Sequence, residues 1–188
     1  MNEKANEAMS SFLEAMGLDL NARGMKKTPE RVTAMFALLF SGCKEDASLA
    51  FGELFDTKAS GLVAVQHIPF YSLCEHHLVP FFGEVHIAYL PQNGKVAGFS
   101  KFVHVVNILS RRPQIQERFT REIADAVMTG LLAKGAFVVV EAQQLCMMMR
   151  GILAPDTRTL TSEASGQLAA DAALRKEAWQ LLQCEVKG

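Results

Sequence analysis

The sequence has little net charge and no long apolar run. Nineteen lysine and arginine residues nearly balance 20 aspartate and glutamate residues, so the formal net charge of the 188 residues is −1. No basic run offers the positive patch that proteins use to bind nucleic acid. No stretch approaches the roughly 18 apolar residues of a membrane span, and the amino terminus lacks the regions of a secretion signal. We therefore expect a cytoplasmic protein without nucleic-acid or membrane partners.

Cysteine is also scarce, with four residues at unrelated spacings. In a reducing compartment such cysteines are typical of free thiols or metal ligands, and they argue against a disulfide framework. Hydrophobic residues make up 49% of the chain, which is enough for the core of one domain, with or without a helical extension.

The most informative stretch is Cys74-Glu75-His76-His77, between two strand-like runs. A thiolate and an imidazole three positions apart suit a borderline metal such as zinc, and one turn can bring both to a single ion. Two protein ligands are too few for a site. The candidates for a third are the remaining histidines and cysteines: His67, His86, His104, Cys43, Cys146 and Cys184.

The apolar pattern of residues 136–150 favours Cys146 as the third ligand. A strand over this range places Gln144, Cys146 and Arg150 on one face, because side chains alternate with period 2. Three protein ligands would leave a fourth position for water, which is typical of a catalytic rather than a structural zinc site.

His86 lies in another alternating run, residues 84–90. Val85, Ile87 and Tyr89 share one face of this predicted strand, and His86 lies on the other. We therefore predict that His86 faces solvent or an interface and is not a metal ligand.

The order of predicted elements indicates the fold class. Strand-like runs at residues 62–68 and 84–90 precede two helices, at residues 100–109 and 114–134. A further strand follows at 136–150, and then a Ser/Thr-rich segment at 157–166 that is irregular or strand-like. The order β-β-α-α-β-β favours an α+β fold, an antiparallel sheet with paired helices on one face. Amphipathic helices are also predicted near each end of the chain, at residues 5–16, 28–41 and 174–182.

Six stretches occur together in the order of a known family. They are Thr28–Val32, Cys74–Pro80, Gly98–Lys101, Arg112–Thr120, Leu145–Gly151 and Thr159–Ser162. Together they resemble the GTP cyclohydrolase I family over roughly residues 5 to 183. The resemblance implies a tunnelling fold (T-fold), with residues 1–60 as an N-terminal helical region and residues 61–188 as the catalytic domain. It also implies a homo-oligomer, usually a decamer of two stacked rings, with active sites between subunits.

The reaction implied by the resemblance converts GTP and water into 7,8-dihydroneopterin triphosphate and formate, at the entry to folate and pterin synthesis. Zn²⁺ held by Cys74, His77 and Cys146 would activate water for attack at C8 of the purine. His76, adjacent to these ligands but not one of them, is then the natural general acid and base for opening the imidazole ring.

The resemblance also assigns the substrate contacts. Glu117, with the backbone around Gln116, would accept hydrogen bonds from N1 and the 2-amino group of guanine. Such a buried acceptor rejects adenine, because adenine would leave polar groups unpaired. Lys101 and Arg150 resemble cations on the phosphate side, and Ser100 resembles a catalytic hydroxyl near the ribose.

Three positions depart from the family pattern. Gln144 stands where the family has a histidine, and an amide can orient water but cannot take and return a proton near neutral pH. His104 stands in place of an arginine that grips the triphosphate, and Gln66 replaces a residue that is usually lysine or arginine. A neutral imidazole and an amide leave the phosphate cradle with about two fewer positive charges.

These departures leave more than one interpretation open. The chain is either a working cyclohydrolase or a divergent paralogue. In a working cyclohydrolase Lys101 and Arg150 would hold the phosphates, with Arg31 or a neighbouring subunit's lysines as further candidates. The paralogue would act on a less phosphorylated guanine-type purine or stop at the ring-opened formamidopyrimidine. A non-catalytic zinc- or pterin-binding subunit is a third interpretation, which a fourth protein ligand on the metal would favour. Another divalent ion in place of zinc also stays open.

Overall fold

The computed structural model describes residues 3–58, 60–150 and 153–184; Gly151, which ends one of the six stretches, lies outside them. The chain divides into two compact units, Met1–Ser41 and Gly42–Gly188. The predicted domain boundary at residue 60 stays a prediction. Residues 42–58 nevertheless lie within the second unit, where Ala47 and Phe51 contribute to the core.

The first unit contains two helices, α1 (Glu3–Ala15) and α2 (Thr28–Leu39). They pack against each other and are joined by a hydrogen bond from the Thr33 hydroxyl to the Asn6 side chain. Pro29 lies in the first turn of α2, where a missing backbone N–H costs nothing. The two N-terminal helices predicted from the apolar spacing are therefore present.

The second unit contains the short 3₁₀ helix Ala47–Phe51 and all but the first residue of another, Ser41–Lys44. Its strands are β1 (Phe55–Asp56), β2 (Val63–Cys74), β3 (Pro80–Leu90), β4 (Lys95–Val96), β5 (Pro113–Gln114), β6 (Gly135–Gln144) and β7 (Thr159–Gly166). Its helices are α3 (Phe99–Ser110), α4 (Gln116–Leu131), α5 (Leu145–Met148), α6 (Gln167–Ala170) and α7 (Ala172–Leu182).

Five of these strands form one sheet in the order β5-β2-β3-β6-β7, and β1 pairs separately with β4. All neighbours in the large sheet are antiparallel except β5, which pairs in parallel with the end of β2. The predicted α+β class with an antiparallel sheet is thus confirmed.

The paired helices α3 and α4 cover one face of this sheet. Val85, Ile87 and Tyr89 are fully buried on that face, in one cluster with Phe102 of α3 and Phe119 of α4. The alternation read from the sequence of β3 is therefore correct. The C-terminal helix α7 covers part of the opposite face, where apolar side chains form a second cluster: Ala88, Phe137, Val139, Leu168, Ala178 and Leu182.

The predicted strand over residues 136–150 is wrong beyond Gln144. Strand β6 ends there and residues 145–148 form a single helical turn. The reason lies in the neighbouring strand, because Gln144 pairs with Phe81 and β3 begins one residue earlier, at Pro80. Beyond this point β6 has no partner on that side with which to continue the ladder.

Two other element boundaries also differ from the prediction. The helix predicted from Gln114 begins at Gln116, because residues 113–114 pair with β2 as strand β5. The helix predicted from Ser100 begins one residue earlier, at Phe99.

Gly83 lies where β3 and β6 approach each other closely. A Cβ atom on Gly83 would lie 1.9 Å from the Glu141 carbonyl oxygen and 2.8 Å from the Ala142 Cα. Gly83→Ala is therefore expected to lower the free energy of unfolding by about 1–3 kcal/mol, the usual cost of overpacking, as measured by urea unfolding. Gly61→Ala is the matched control, since a Cβ there meets nothing within 4 Å. Equal stabilities of the two variants would contradict this prediction.

Candidate active site

The turn between β2 and β3 places His77 beside Cys74. The Cys74 carbonyl accepts hydrogen bonds from the backbone N–H groups of His77 (3.4 Å) and Leu78 (2.8 Å), and the Cys74 N–H donates to the Val79 carbonyl (3.0 Å). Leu78 adopts a left-handed backbone conformation, with φ of 52°. The chain thus reverses directly after Cys74 and returns the imidazole to the thiol.

Cys146 reaches the same place from the end of β6. Because β6 pairs with β3 up to the first residues after the turn, the helical turn α5 begins next to Cys74. One ligand atom each from Cys74, His77 and Cys146 lie within 4.8 Å of one another. The structure therefore brings together the three predicted metal ligands, although Cys146 lies on a helical turn and not on the predicted strand.

The chemistry of this cluster fits a divalent metal ion. Cys74 is buried, and burial raises the pKa of the Cys146 thiol, with Cys74 acting in the same direction and Arg150 against it. A thiol whose pKa is raised needs a compensating positive charge nearby before it becomes a thiolate. Two sulfur donors and one imidazole suit zinc or a similar borderline ion, and a cation bound there would supply that charge.

An open cavity of about 390 Å³ adjoins the cluster, within the usual size range of small-molecule sites. Cys74 and Cys146 line one side, together with His76. Gln116 and Glu117, at the start of α4, line another. The cavity thus joins the metal-type cluster to the predicted guanine contacts.

His76 lies beside the cluster without belonging to it. Its Nδ1 is 3.6 Å from the Cys74 sulfur, and 65% of its side chain is exposed. An imidazole that borders both the thiol and the cavity can take or give a proton at either. This position is consistent with the predicted acid and base role.

The side-chain amide of Gln116 forms hydrogen bonds that hold the start of α4 in place. It is buried, and its Nε2 donates to the carbonyls of Val140 (3.1 Å) and Thr159 (3.0 Å). Its Oε1 accepts from Gln144 Nε2 (2.8 Å) and from the Thr159 hydroxyl (2.5 Å). The amide therefore fixes α4 to β6 and β7, and this fixes the neighbouring Glu117 at the cavity.

Gln144, the departure from the family histidine, is held by this same network. Its Nε2 donates to Gln116, and no hydrogen bond among the described residues uses its Oε1. The oxygen can accept a hydrogen bond from a molecule in the cavity, but the amide cannot transfer a proton.

Sequence reasoning missed the residues that tie the turn to α4. Arg118 donates to the Glu75 carboxylate (2.6 Å), to the Pro113 carbonyl (2.9 Å) and to Gln114 Oε1 (3.0 Å). It thereby links the turn that carries Cys74 and His77 to the first turn of the helix that carries Glu117. The sequence did hold a signal for this contact, because Glu75 lies within the stretch Cys74–Pro80 and Arg118 lies within the stretch Arg112–Thr120.

Three predicted substrate residues lie elsewhere in the second unit. Ser100, Lys101 and His104 are exposed on α3, and none of them is among the described residues that line the cavity. Arg150 is exposed but close enough to Cys146 to influence its pKa. Gln66 binds the end of α7, where its Nε2 donates to the Leu181 carbonyl (3.1 Å). A single chain thus brings the predicted metal ligands and the predicted guanine contacts next to one cavity, but not the predicted residues of α3.

Fold and site together define an α+β protein with an antiparallel sheet and a cysteine–histidine cluster at the end of a hairpin. The model of the family described as GTP cyclohydrolase I matches residues 5–183, and the chain belongs to this family of hydrolases. It is 47% identical over 180 residues to GTP cyclohydrolase 1 of Lysinibacillus sphaericus, covering 96% of this chain and 95% of that one. It is 46% identical over 181 residues to the Streptococcus agalactiae serotype V protein of the same name, covering 96% and 97%.

Among solved structures, the archaeosine synthase QueF-Like in its apo form aligns with a TM-score of 0.46 at 17% identity, over 58% of this chain and 97% of that one. Within the described part of the chain, no helix has the length and apolar character needed to cross a membrane.

Proposed function

We propose that the chain opens the imidazole ring of GTP at C8, releases formate and forms 7,8-dihydroneopterin triphosphate, with Zn²⁺ as its cofactor. One observation carries the proposal: two members of the cluster, Cys74 and Cys146, line a single cavity together with His76 and Glu117 in a member of the GTP cyclohydrolase I family. We place this reaction in the cytoplasm, at the entry to folate and pterin synthesis.

The cluster would hold the zinc ion. When bound, the ion would supply a Lewis acid and a water activated for hydrolysis. The cluster has three members among the described residues, and three protein ligands match the catalytic type of zinc site. This count supports an enzyme over a non-catalytic zinc-binding subunit.

Glu117 would recognise the guanine base. Its carboxylate lies in the first turn of α4, where the helix dipole favours negative charge. A carboxylate complements the N1–H and 2-amino donors of guanine, whereas adenine offers no such pair of donors. Because Gln116 uses its side-chain amide internally, we assign that side chain to positioning and its backbone to the base.

His76 would move the protons of ring opening. Its imidazole borders the cavity, so it can protonate the departing ring nitrogen and later return to its starting state. Ring opening and deformylation leave a ribose rearrangement and a ring closure before a pterin is formed. In this chain Gln144 occupies the position from which the family histidine would assist, and it can only orient a hydroxyl or water.

The position of the predicted phosphate-binding residues supports an active site built by two neighbouring subunits of a homo-oligomer. We propose that this homo-oligomer is a decamer. Ser100, Lys101 and His104 are exposed on α3 and do not line the cavity of their own chain. A neighbouring copy could present its α3 to this cavity, with Lys101 and His104 toward the triphosphate and Ser100 toward the ribose. Arg150, near Cys146, would add a positive charge from the same chain.

Incubation of the zinc-loaded protein with GTP, and separately with guanosine, tests the proposed function. Formate and, after oxidation, a fluorescent pterin are followed together. Both products from GTP are expected. Turnover of guanosine in preference to GTP would instead favour a paralogue for less phosphorylated purines, and no formate from either substrate would favour a non-catalytic subunit.

The presence of Gln144 supports a second possible product of the reaction. Because its amide cannot transfer a proton, the reaction could stop at the ring-opened formamidopyrimidine. Gln144→His is therefore expected to raise the yield of pterin per GTP consumed, by up to about 10²-fold if general acid–base catalysis limits the later steps. Comparison of GTP loss with pterin formation measures this ratio. An unchanged ratio in Gln144→His would show that the later steps do not need an imidazole here.

A further inference from the structure

A second cluster of metal-ligand side chains lies on the sheet face that α3 and α4 do not cover. It is formed by His67 of β2 with Glu84 and His86 of β3, and one ligand atom from each lies within 4.8 Å of the others. His67 and Cys74 are seven positions apart on β2. At about 3.3 Å per residue the two clusters are roughly 20 Å apart, so one ion cannot serve both.

A bulge in β2 directs His67 into this cluster. The register between β2 and β3 shifts between Val65 and Ile68. His67 has a φ of 53°, in the left-handed region of backbone conformation that residues other than glycine seldom adopt. Bulges of this kind re-aim side chains. Gln66 braces the bulge, because its amide donates to the Leu181 carbonyl at 3.1 Å.

The three side chains converge on one point. His67 Nδ1 lies 2.6 Å from Glu84 Oε2, and His86 Nε2 lies 4.0 Å from the same oxygen. The rings of His67 and His86 meet edge to face, with centroids 4.8 Å apart. Ligands bonded to one ion at 2.0–2.2 Å lie about 3 Å from one another. Small rotations about the side-chain bonds would bring all three donors to that spacing.

The surrounding charges favour a cation at this point. Glu84 lies directly opposite Glu141 in the ladder between β3 and β6, and like charges in that position repel each other. Glu141 forms an ion pair with Arg158, whereas the ion-pair partners of Glu84 are His67 and His86 alone among the described residues. A cation bound beside Glu84 would relieve the repulsion between the two carboxylates.

We propose that His67, Glu84 and His86 bind a first-row divalent cation, separate from the cysteine-containing centre. Two imidazoles and one carboxylate suit Zn²⁺, Co²⁺, Ni²⁺ or Fe²⁺ better than Mg²⁺ or Ca²⁺. The ion would bridge β2 and β3 across the bulge and compensate the Glu84 charge. Its role is therefore structural, and the proposal does not depend on the reaction proposed above.

Titration of the metal-free full-length protein with Co²⁺ tests this site. Two equivalents per chain are expected. The first brings the near-ultraviolet absorption of cobalt–thiolate bonds, and the second binds without adding to it, because its ligands include no sulfur. His86→Ala and Glu84→Gln are each expected to weaken the second equivalent by at least about 10-fold and to leave the thiolate absorption intact, which also shows that the variants fold.

The reciprocal variant separates the two centres. Cys74→Ser with Cys146→Ser should remove the thiolate absorption and retain the second equivalent. His104→Ala, which alters an exposed histidine outside both clusters, should leave both equivalents in place. A single equivalent in the unmodified protein, or a second equivalent that persists unweakened in both His86→Ala and Glu84→Gln, would overturn the proposal and leave a simple histidine–carboxylate ion pair.

Discussion

Cys146→Ala is expected to leave the cysteine-containing cluster without tightly bound zinc and to lower formate release from GTP by at least about 10³-fold, because a metal ion that activates water lowers the barrier by several kcal/mol. Cys146 supplies one of the two sulfur donors in the cluster, and its ligand atom lies within 4.8 Å of those of Cys74 and His77. A two-ligand remainder would hold zinc too weakly to survive dialysis. Metal content after dialysis and the initial rate of formate release are both measured.

Cys43→Ala is the matched control for this experiment. Cys43 is an exposed free thiol outside the cluster, so its loss should change neither metal content nor rate. Formate release at the unmodified rate by Cys146→Ala with no zinc in the cysteine-containing cluster would show that the cluster is not the hydrolytic centre.

His76→Ala is expected to retain one zinc per chain in the cysteine-containing cluster and to lower formate release by about 10²–10⁴-fold, the usual contribution of a general acid–base group. The two halves of this expectation follow from geometry. His76 Nδ1 contacts the Cys74 sulfur at 3.6 Å and the residue lines the cavity, but its imidazole is not part of the ligand group.

Metal content and rate together distinguish this role from a structural one. If His76 transfers protons, added free imidazole should restore part of the rate of His76→Ala, while the metal content stays constant throughout. Loss of zinc in this variant would reassign His76 to the metal site. A full rate with full zinc would exclude it from proton transfer.

Much of the fold follows from local patterns in the sequence. The alternation in residues 84–90 correctly identified the buried face of β3 because one face of that strand packs on α3 and α4. It failed for residues 145–150, since the end of β6 depends on where a partner strand begins, at Pro80. That boundary is a property of the sheet and is not visible in the segment itself.

The site was predictable to the extent that its residues follow one another in short motifs. Cys74 and His77 share a turn, and Cys146 stood out as a third donor. The network of Gln116, Gln144 and Thr159 joins three elements that are far apart in sequence, so only the folded chain reveals it. The bulge at His67 was equally hidden, because a strand pattern of apolar residues does not show where one residue is added to the ladder.

Formate release from GTP during zinc titration of the metal-free protein tests the central claim most directly. We expect no formate without metal, a rate that rises in proportion to the first equivalent of zinc per chain, and no further rise with additional zinc. Formate release by the metal-free protein, or none when the cluster of Cys74, His77 and Cys146 is fully loaded, would contradict the claim that this cluster is the hydrolytic centre.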